Sequence, residues 1–408
     1  MITWRTGTVT ARGKAWGDGA TGARELDVVL DTALPSHDDS DPGRGDDSDD
    51  RTVRALAYTG LVGDPRVGDQ LLLNCSALAR RLGTGGYALV VGPSGALPPD
   101  PEPGPGHLVK ARYTPLQAMV LGVDEQESPH HQILVDADTL DGMPVVVADL
   151  HSALPAIIAG ARHAAARAGR PAPRIAYVMT DGAALPAPFS HTIATLRDTG
   201  WLTTTITVGQ AFGGDLEAVT THTGLLAAHH IVHADLTVVT QGPGNLGTGT
   251  RWGYSGVAAG ETVNATHTLG GQAVASLRVS GADPRDRHLG ISHHSLTAYG
   301  RVALTPAVKP RPSNRSTESS PSPPTASSSR RSRPVPRGSR PWDGASRTTP
   351  QRSPPPPSRA FTRSPWSLAD SSAHDDATNP PCPRLWTGGT ARRARSLGCR
   401  PCCVDSTL

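Results

Sequence analysis

The chain changes character at Lys309-Pro310, and that break sets how much of it can fold. Before it, short apolar runs alternate with Gly-rich turns and Ala-rich stretches, the pattern of a packed α/β protein. After it the sequence turns to Ser, Pro and Arg without apolar periodicity, as in RPSNRSTESSPSPPTASSSRRSRPVPRGSRP. Such a composition buries too little apolar surface to offset the entropy of ordering, so a disordered tail is expected over residues 309–408. Function belongs to the first three quarters of the 408 residues, a length suited to two domains.

The formal net charge of +3 averages two opposite segments, the acidic run HDDSDPGRGDDSDD and the Arg-rich tail. It therefore says nothing of the folded part, which carries no Lys/Arg stripe with interleaved aromatics; nucleic-acid binding is not expected. Cys75 is the only cysteine before the break, which fits a reducing cytoplasm and excludes a disulfide framework. Cys382, Cys399, Cys402 and Cys403 lie in the tail, without the second spaced pair of a zinc cage. The N-terminus MITWRTGTVTARG lacks an apolar signal region, and no run reaches the length of a membrane span. A cytoplasmic protein without membrane contact is expected.

Residues 1–95 read as a small β-barrel, with strands at Thr6–Thr10, Leu26–Leu30, Val53–Tyr58, Gln70–Asn74 and Tyr87–Val91. The acidic stretch 37–50 is expected as a solvated insertion between two strands, and 96–106 as a stiff Pro/Gly linker. Residues 107–308 repeat strand, polar turn and helix. The strands are placed at Ala118–Val123, Pro144–Ala148, Arg174–Met179, Thr203–Val208, Leu236–Thr240 and Gln272–Val279. Helices are placed over Leu154–Ala168, Ser190–Thr199, Leu216–Ile231 and Ser255–Leu269. This alternation predicts a doubly wound, mostly parallel, Rossmann-like sheet with right-handed crossovers.

Ligands of such sheets bind beyond the carboxyl ends of the strands, and there this chain concentrates its polar residues. Asp149 and His151 follow one strand, Asp181 the next, and Gln210 and Asp215 the third; Gln241 begins a glycine loop. Asp149, His151, Asp181 and Asp215 are the candidate acid–base or metal groups. Gly242, Gly244, Asn245, Gly247, Thr248 and Thr250, with Gln210 and Gln241, are the candidate anion cradle, through free backbone N–H groups and hydroxyls. Gly242–Gly247 matches G-x-G-x-x-G, but the next helix starts only near Ser255 and Glu261 sits inside it, so a nicotinamide or flavin site is not expected. The Walker lysine is also missing. Asp215 and Glu217 straddle an expected helix start and suit capping.

Neutral imidazoles beside carboxylates suit a divalent metal or a general acid–base pair. His130, Asp149, His151 and His293 are the candidate ligands. Adjacent histidines on a regular element point apart, so one of each pair is expected at a common ligand, and no H-x-x-x-H marks the set. His222, His229, His230 and His233 fall on or after a helix and read as packing or surface residues. Neither Ser152 nor Ser292 sits in a nucleophile elbow.

The phrases GTGGYALVV, GPGHLVKARYTPLQ, VLGVDEQESPHH, GMPVVVADLHSALP, YVMTDGAALP, VGQAFGGDLEAV, VVTQGPGNLGTGT and ISHHSLTAYGRVAL resemble the bacterial domain-of-unknown-function family 3866, over about Trp4 to Val308. That family, common in high-GC Gram-positive bacteria, brings no assigned activity and no catalytic residue. It does imply a further folded segment past residue 310, with a T-M-G-R-G-L stretch and an Ala-rich helix. Written in GC-rich codons and read from the last base of each triplet, Arg340–Thr349 permits T-M-G-R-G-L-E-D-D, and Gln351–Ser367 permits an apolar helix. A shift of reading frame between about Val308 and Arg340 is therefore expected.

The sequence thus points to an α/β enzyme acting on a small anionic or phosphorylated metabolite, in a chain able to form homo-oligomers. The alternatives are a non-catalytic small-ligand-binding or sensing protein, and a scaffold that docks partners through the barrel.

Overall fold

The computed structural model describes residues 2–35, 51–80, 82, 85–95, 97, 100 and 102–308. The acidic insertion 37–50 and the tail 309–408, with its expected frame shift, lie outside them. Five strands, β1 (Trp4–Trp16), β2 (Ala23–Leu30), β3 (Thr52–Tyr58), β4 (Gln70–Asn74) and β5 (Ala88–Pro93), form a closed barrel in the order β1-β2-β3-β5-β4. The β3–β5 pair is parallel and the others are antiparallel, a Greek-key arrangement of the five-stranded OB type. Val9, Leu26, Val28, Leu30, Val53, Ala55, Leu71, Leu73 and Val90 fill the interior at the alternation that the sequence shows. Register shifts after Val9 and after Arg12 let β1 bend around the closure. Gly7 pairs with both Leu30 and Leu71, and a Cβ there would lie 2.7 Å from the Val29 carbonyl oxygen.

The second part is a six-stranded, all-parallel sheet. Its strands are β8 (Pro144–Ala148), β9 (Ile175–Thr180), β10 (Thr204–Thr207), β11 (Leu216–Glu217), β12 (Leu236–Gln241) and β13 (Gln272–Ser276), in the order β11-β10-β9-β12-β8-β13. The strand numbers count a separate hairpin, β6 (Leu108–Lys110) and β7 (Ala118–Val120). Helices Leu154–Arg167 and His191–Asp198 bury Ile158, Ile193 and Leu196 against Ile175, Tyr177 and Val238. On the opposite face, Thr221–His230 and Ala258–Thr268 bury Leu225 and Val263 against Val145, Val147, Val178 and Val239. The chain winds outward from β8 through β9 and β10 to β11, then returns to insert β12 between β9 and β8. That reversal opens the sheet's crest on both sides of β12. Barrel and sheet belong to one compact unit; Trp16 Nε1 donates to the Pro188 carbonyl at 2.6 Å, with its ring against His191.

Two expected elements change. Ala118–Val123 does not enter the sheet: Ala118–Val120 pairs with Leu108–Lys110, and Gly122 only bridges to Glu217. The expected helix over Leu216–Ile231 starts at Thr221, because Leu216-Glu217 pairs in parallel with Ile206-Thr207. Thr220, not an acid, is its cap, accepting from the Thr223 N–H at 3.1 Å. The cause is tertiary. Buried Glu217 accepts from Thr207 Oγ1 and the Gly213 N–H, both at 2.7 Å, and faces Lys110 Nζ at 3.3 Å. Among the described residues no helix is long and apolar enough to cross a membrane.

Candidate functional site

Asp149 leaves the carboxyl end of β8 and Gln241 ends β12, side by side at the switch in winding. Gln241 Nε2 donates to the Asp149 carbonyl at 3.0 Å and to Asn245 Oδ1 at 2.9 Å. The same Asn245 oxygen accepts from Ser255 Oγ at 2.9 Å and from the Gly256 N–H at 3.3 Å. Asn245 thereby ties the glycine loop to the start of the helix Ala258–Thr268. A Cβ on Gly256 would sit 2.9 Å from the Asp149 carbonyl oxygen, so the close approach requires glycine. Asp149, Gln241, Ser255 and Gly256 border a cavity of about 10 Å³. Asp149 Oδ2 and Gln241 Oε1 are buried without a hydrogen-bond partner among the described residues. Leaving such an atom unpaired costs about 1–3 kcal/mol, so a pair of them calls for a functional reason.

The segment 286–297 closes over this end of the sheet. His294 Nδ1 lies 3.6 Å from Asp149 Oδ2, and its ring stacks on Tyr254 with centroids 3.8 Å apart and planes 1° from parallel. Tyr254 Oη donates to the His294 carbonyl at 2.8 Å. His288 Nδ1 lies 2.8 Å from Ser292 Oγ, the oxygen that also accepts from the His294 N–H and caps the short helix His293–Thr297. One ring nitrogen from each of His288, His293 and His294 falls within 4.8 Å of the others. The three rings sit 4.4–5.0 Å apart, centroid to centroid. Both members of the His293-His294 pair therefore reach one point, against the expectation that adjacent histidines diverge. They occupy a capped first turn rather than a strand.

Burial and nearby cations keep His288 and His293 unprotonated at neutral pH. Burial, with help from Arg278, Arg285 and the neighbouring imidazoles, pushes His288 down to about 4; burial, His294, Arg287 and Arg278 lower His293. Burial and the Asp149 charge push Tyr254 up to about 12 and Tyr299 well above its ordinary value. Arg285 and Arg278 pair with Asp283 at 2.8 and 3.5 Å, whereas exposed Arg287 makes no ion pair among the described residues.

The other candidates are held apart from this cluster. His151 is buried, with Nδ1 3.0 Å from Tyr177 Oη and Nε2 2.7 Å from Ser190 Oγ; both nitrogens are engaged, and burial pushes it down to about 4. Asp181 accepts from the Gln210 N–H at 2.8 Å, and Gln210 Oε1 accepts from the Arg112 N–H at 2.9 Å, which staples two loops. Asp215 accepts from the Thr205 N–H at 2.8 Å and pairs with Arg197 at 2.5 Å. His130 donates its backbone N–H to Ser128 Oγ and is not in the cluster.

The 242–250 loop is a self-bonded hairpin rather than an open cradle. Gly242 packs on the Ala184 carbonyl, Gly244 takes φ 89°, and Gly247 bridges to Tyr254. Thr248 and Thr250 spend their hydroxyls on each other and on Gly253. The hairpin's service to the site is to deliver Asn245 and Tyr254. Two further cavities of about 480 Å³ each lie away from the imidazoles. One is polar, beside Trp16, Ser190 and Arg197; the other is apolar, among Leu61, Leu116, Phe189 and Phe212.

Sequence reasoning missed His288, His294 and Tyr254. The usable signal was His288-x4-His293, which falls within the three-to-five-residue spacing of metal-ligand histidines.

A family model described as protein of unknown function (DUF3866) matches residues 54–332, more than half of the chain. The match ends inside the interval in which the frame shift is expected. Neither the curated proteins nor the solved structures contain a match.

Proposed function

The chain belongs to the DUF3866 family, and we propose that it is an enzyme acting on a small anionic metabolite at the crest of its parallel sheet. One observation carries this reading: Asp149 Oδ2, Gln241 Oε1 and His294 Nδ1 are all buried, all without a hydrogen-bond partner among the described residues, and gathered at the switch point where β8 and β12 end. The 3.6 Å between His294 Nδ1 and Asp149 Oδ2 exceeds a hydrogen bond and matches a pair that tightens when a water enters the adjoining cavity, whose volume of about 10 Å³ suits a single water. In that role the Asp149 carboxylate accepts a proton from that water. Gln241 orients the acceptor through its bond to the Asp149 backbone. Arg287, with Arg278 and Arg285 behind it, supports a phosphate or carboxylate substrate, because a cationic rim raises the local concentration of anions. Hydrolysis of a small phosphate or carboxylate ester is the reaction class this arrangement serves best.

The test joins thermal melts in inorganic phosphate with turnover of a panel of small phosphate monoesters and carboxylic esters. Phosphate should raise the melting temperature and Arg287→Ala should reduce that rise. Asp149→Asn should keep the fold and lower turnover by roughly 10²–10⁴-fold, the usual range for a lost general base. A phosphate shift with no turnover across the panel makes the protein a ligand-binding one, and the absence of both sinks the reading.

A further inference from the structure

We propose that His288, His293 and His294 ligate a single zinc-class divalent ion, with Asp149 as the carboxylate that orients His294 from behind. This rests on the reading of the crest as a reaction centre and adds the metal to it.

Three observations converge. Each imidazole offers a nitrogen within 4.8 Å of the other two, with His288 and His294 buried and His293 half-buried. His293 Nε2 is buried and has no hydrogen-bond partner among the described residues. His288 already has an outer partner on Nδ1, Ser292 Oγ at 2.8 Å, and His294 Nδ1 faces Asp149 Oδ2 at 3.6 Å, in place to become one. Metal-ligating histidines carry such partners on the nitrogen that does not bind the ion, and a carboxylate in that position raises the basicity of the ligand.

The donor set selects the ion. Three imidazoles without thiolate suit zinc and its first-row neighbours; magnesium and calcium demand oxygen ligands. A tetrahedral centre with bonds of about 2.0–2.1 Å needs its nitrogens roughly 3.3 Å apart, so nitrogens that lie within 4.8 Å of one another must draw together by up to about 1.5 Å when the ion binds. Three protein ligands leave a fourth position for water or substrate, the arrangement of a catalytic rather than a structural zinc. Arg278, Arg285 and Arg287 oppose a cation at this place; Asp149 and Asp283 offset them.

The experiment strips the full-length protein with chelator, then dialyses it against zinc and, separately, against cobalt. One zinc per chain is expected, together with the intense visible absorption of tetrahedral cobalt. His288→Gln combined with His293→Gln should abolish both. If that double variant does not fold, His293→Gln alone should weaken zinc binding and change the cobalt spectrum. His229→Gln with His230→Gln serves as control, since those rings also meet, 4.5 Å apart with Asp141 at 3.2 Å; it should leave zinc binding intact. Asp149→Asn should lower zinc affinity about 10–100-fold while keeping the cobalt band, the effect of losing an outer-shell partner. Zinc stoichiometry unchanged in the folded His288/His293 variant, or no zinc retained by the parent, overturns the proposal. Phosphate stabilisation and turnover that persist in the metal-free protein would leave the anion reading standing and remove the metal. Zinc without either would do the reverse.

Discussion

Lys110→Met should destabilise the protein by about 3–5 kcal/mol, and the structure explains why so conservative a change in volume is so costly. Lys110 is fully buried. Its Nζ donates to the carbonyls of Ala211 and Ala218, each at 2.9 Å, and stands 3.3 Å from Glu217 Oε2. Burial lowers the pKa of the ammonium and raises that of the carboxyl, and each charge is what holds the other ionised. At 3.3 Å and an effective dielectric constant near 20, the pair attraction is about 5 kcal/mol. Methionine keeps the stem but leaves Glu217 with only the Thr207 hydroxyl and the Gly213 N–H, and leaves two carbonyls unpaired. Breaking a buried pair from one side costs about 3–5 kcal/mol, whereas removing both charges is far milder. Urea unfolding of Lys110→Met, Glu217→Gln and the double variant forms the assay. The double variant should recover at least 1.5 kcal/mol relative to the sum of the singles, a coupling typical of one buried network. A cost below about 1 kcal/mol for Lys110→Met, or strictly additive losses, would refute the argument. Zinc binding should be unchanged in every folded member of the cycle, because the pair anchors the β6–β7 hairpin to β11 and touches none of the three imidazoles.

Burial holds His151 at about 4 in the folded chain against 6.5 for the free imidazole, so the unfolded chain takes up the proton first. The corresponding stability is complete above about pH 6.5 and is lost as the pH falls towards 4, by up to about 3 kcal/mol; the difference in melting between parent and His151→Gln across that window measures it, and a constant difference would contradict it. Gly256→Ala should push Asp149 out of place through a 2.9 Å clash with its carbonyl oxygen, costing about 1–3 kcal/mol and lowering zinc affinity along with turnover. A fully active, equally stable Gly256→Ala protein would show that the approach is not needed. Sequencing the locus should reveal an open alternative frame beyond residue 310 that encodes T-M-G-R-G-L and an apolar helix; stops throughout that frame would end the frame-shift explanation.

Much of the architecture is legible in the sequence alone, because it depends on local periodicity. The alternation of Val9, Val28, Val53, Leu71 and Val90 marks barrel strands, and runs such as PVVVA and RIAYVM mark strands buried on both faces. The failures came where a distant partner overrode the local signal. Leu216-Glu217 reads as the start of a helix until Lys110, more than a hundred residues earlier, pairs with Glu217 and draws the dipeptide into the sheet.

The candidate site divides along the same line. Asp149 could be named from the sequence, since residues at the carboxyl ends of parallel strands form the crest whatever their neighbours do. Asp181, His151 and Asp215 obey the same rule, yet they end in different environments, because a strand end specifies a layer and not a direction within it. The grouping of His288, His293 and His294 against Asp149 required the segment 286–297 to fold back over β8, and Tyr254 to supply the ring on which His294 stacks. Periodicity records which face of its own element a residue occupies. The meeting of side chains from β8 and a segment some 140 residues later is decided by packing, and only the tertiary structure holds that information.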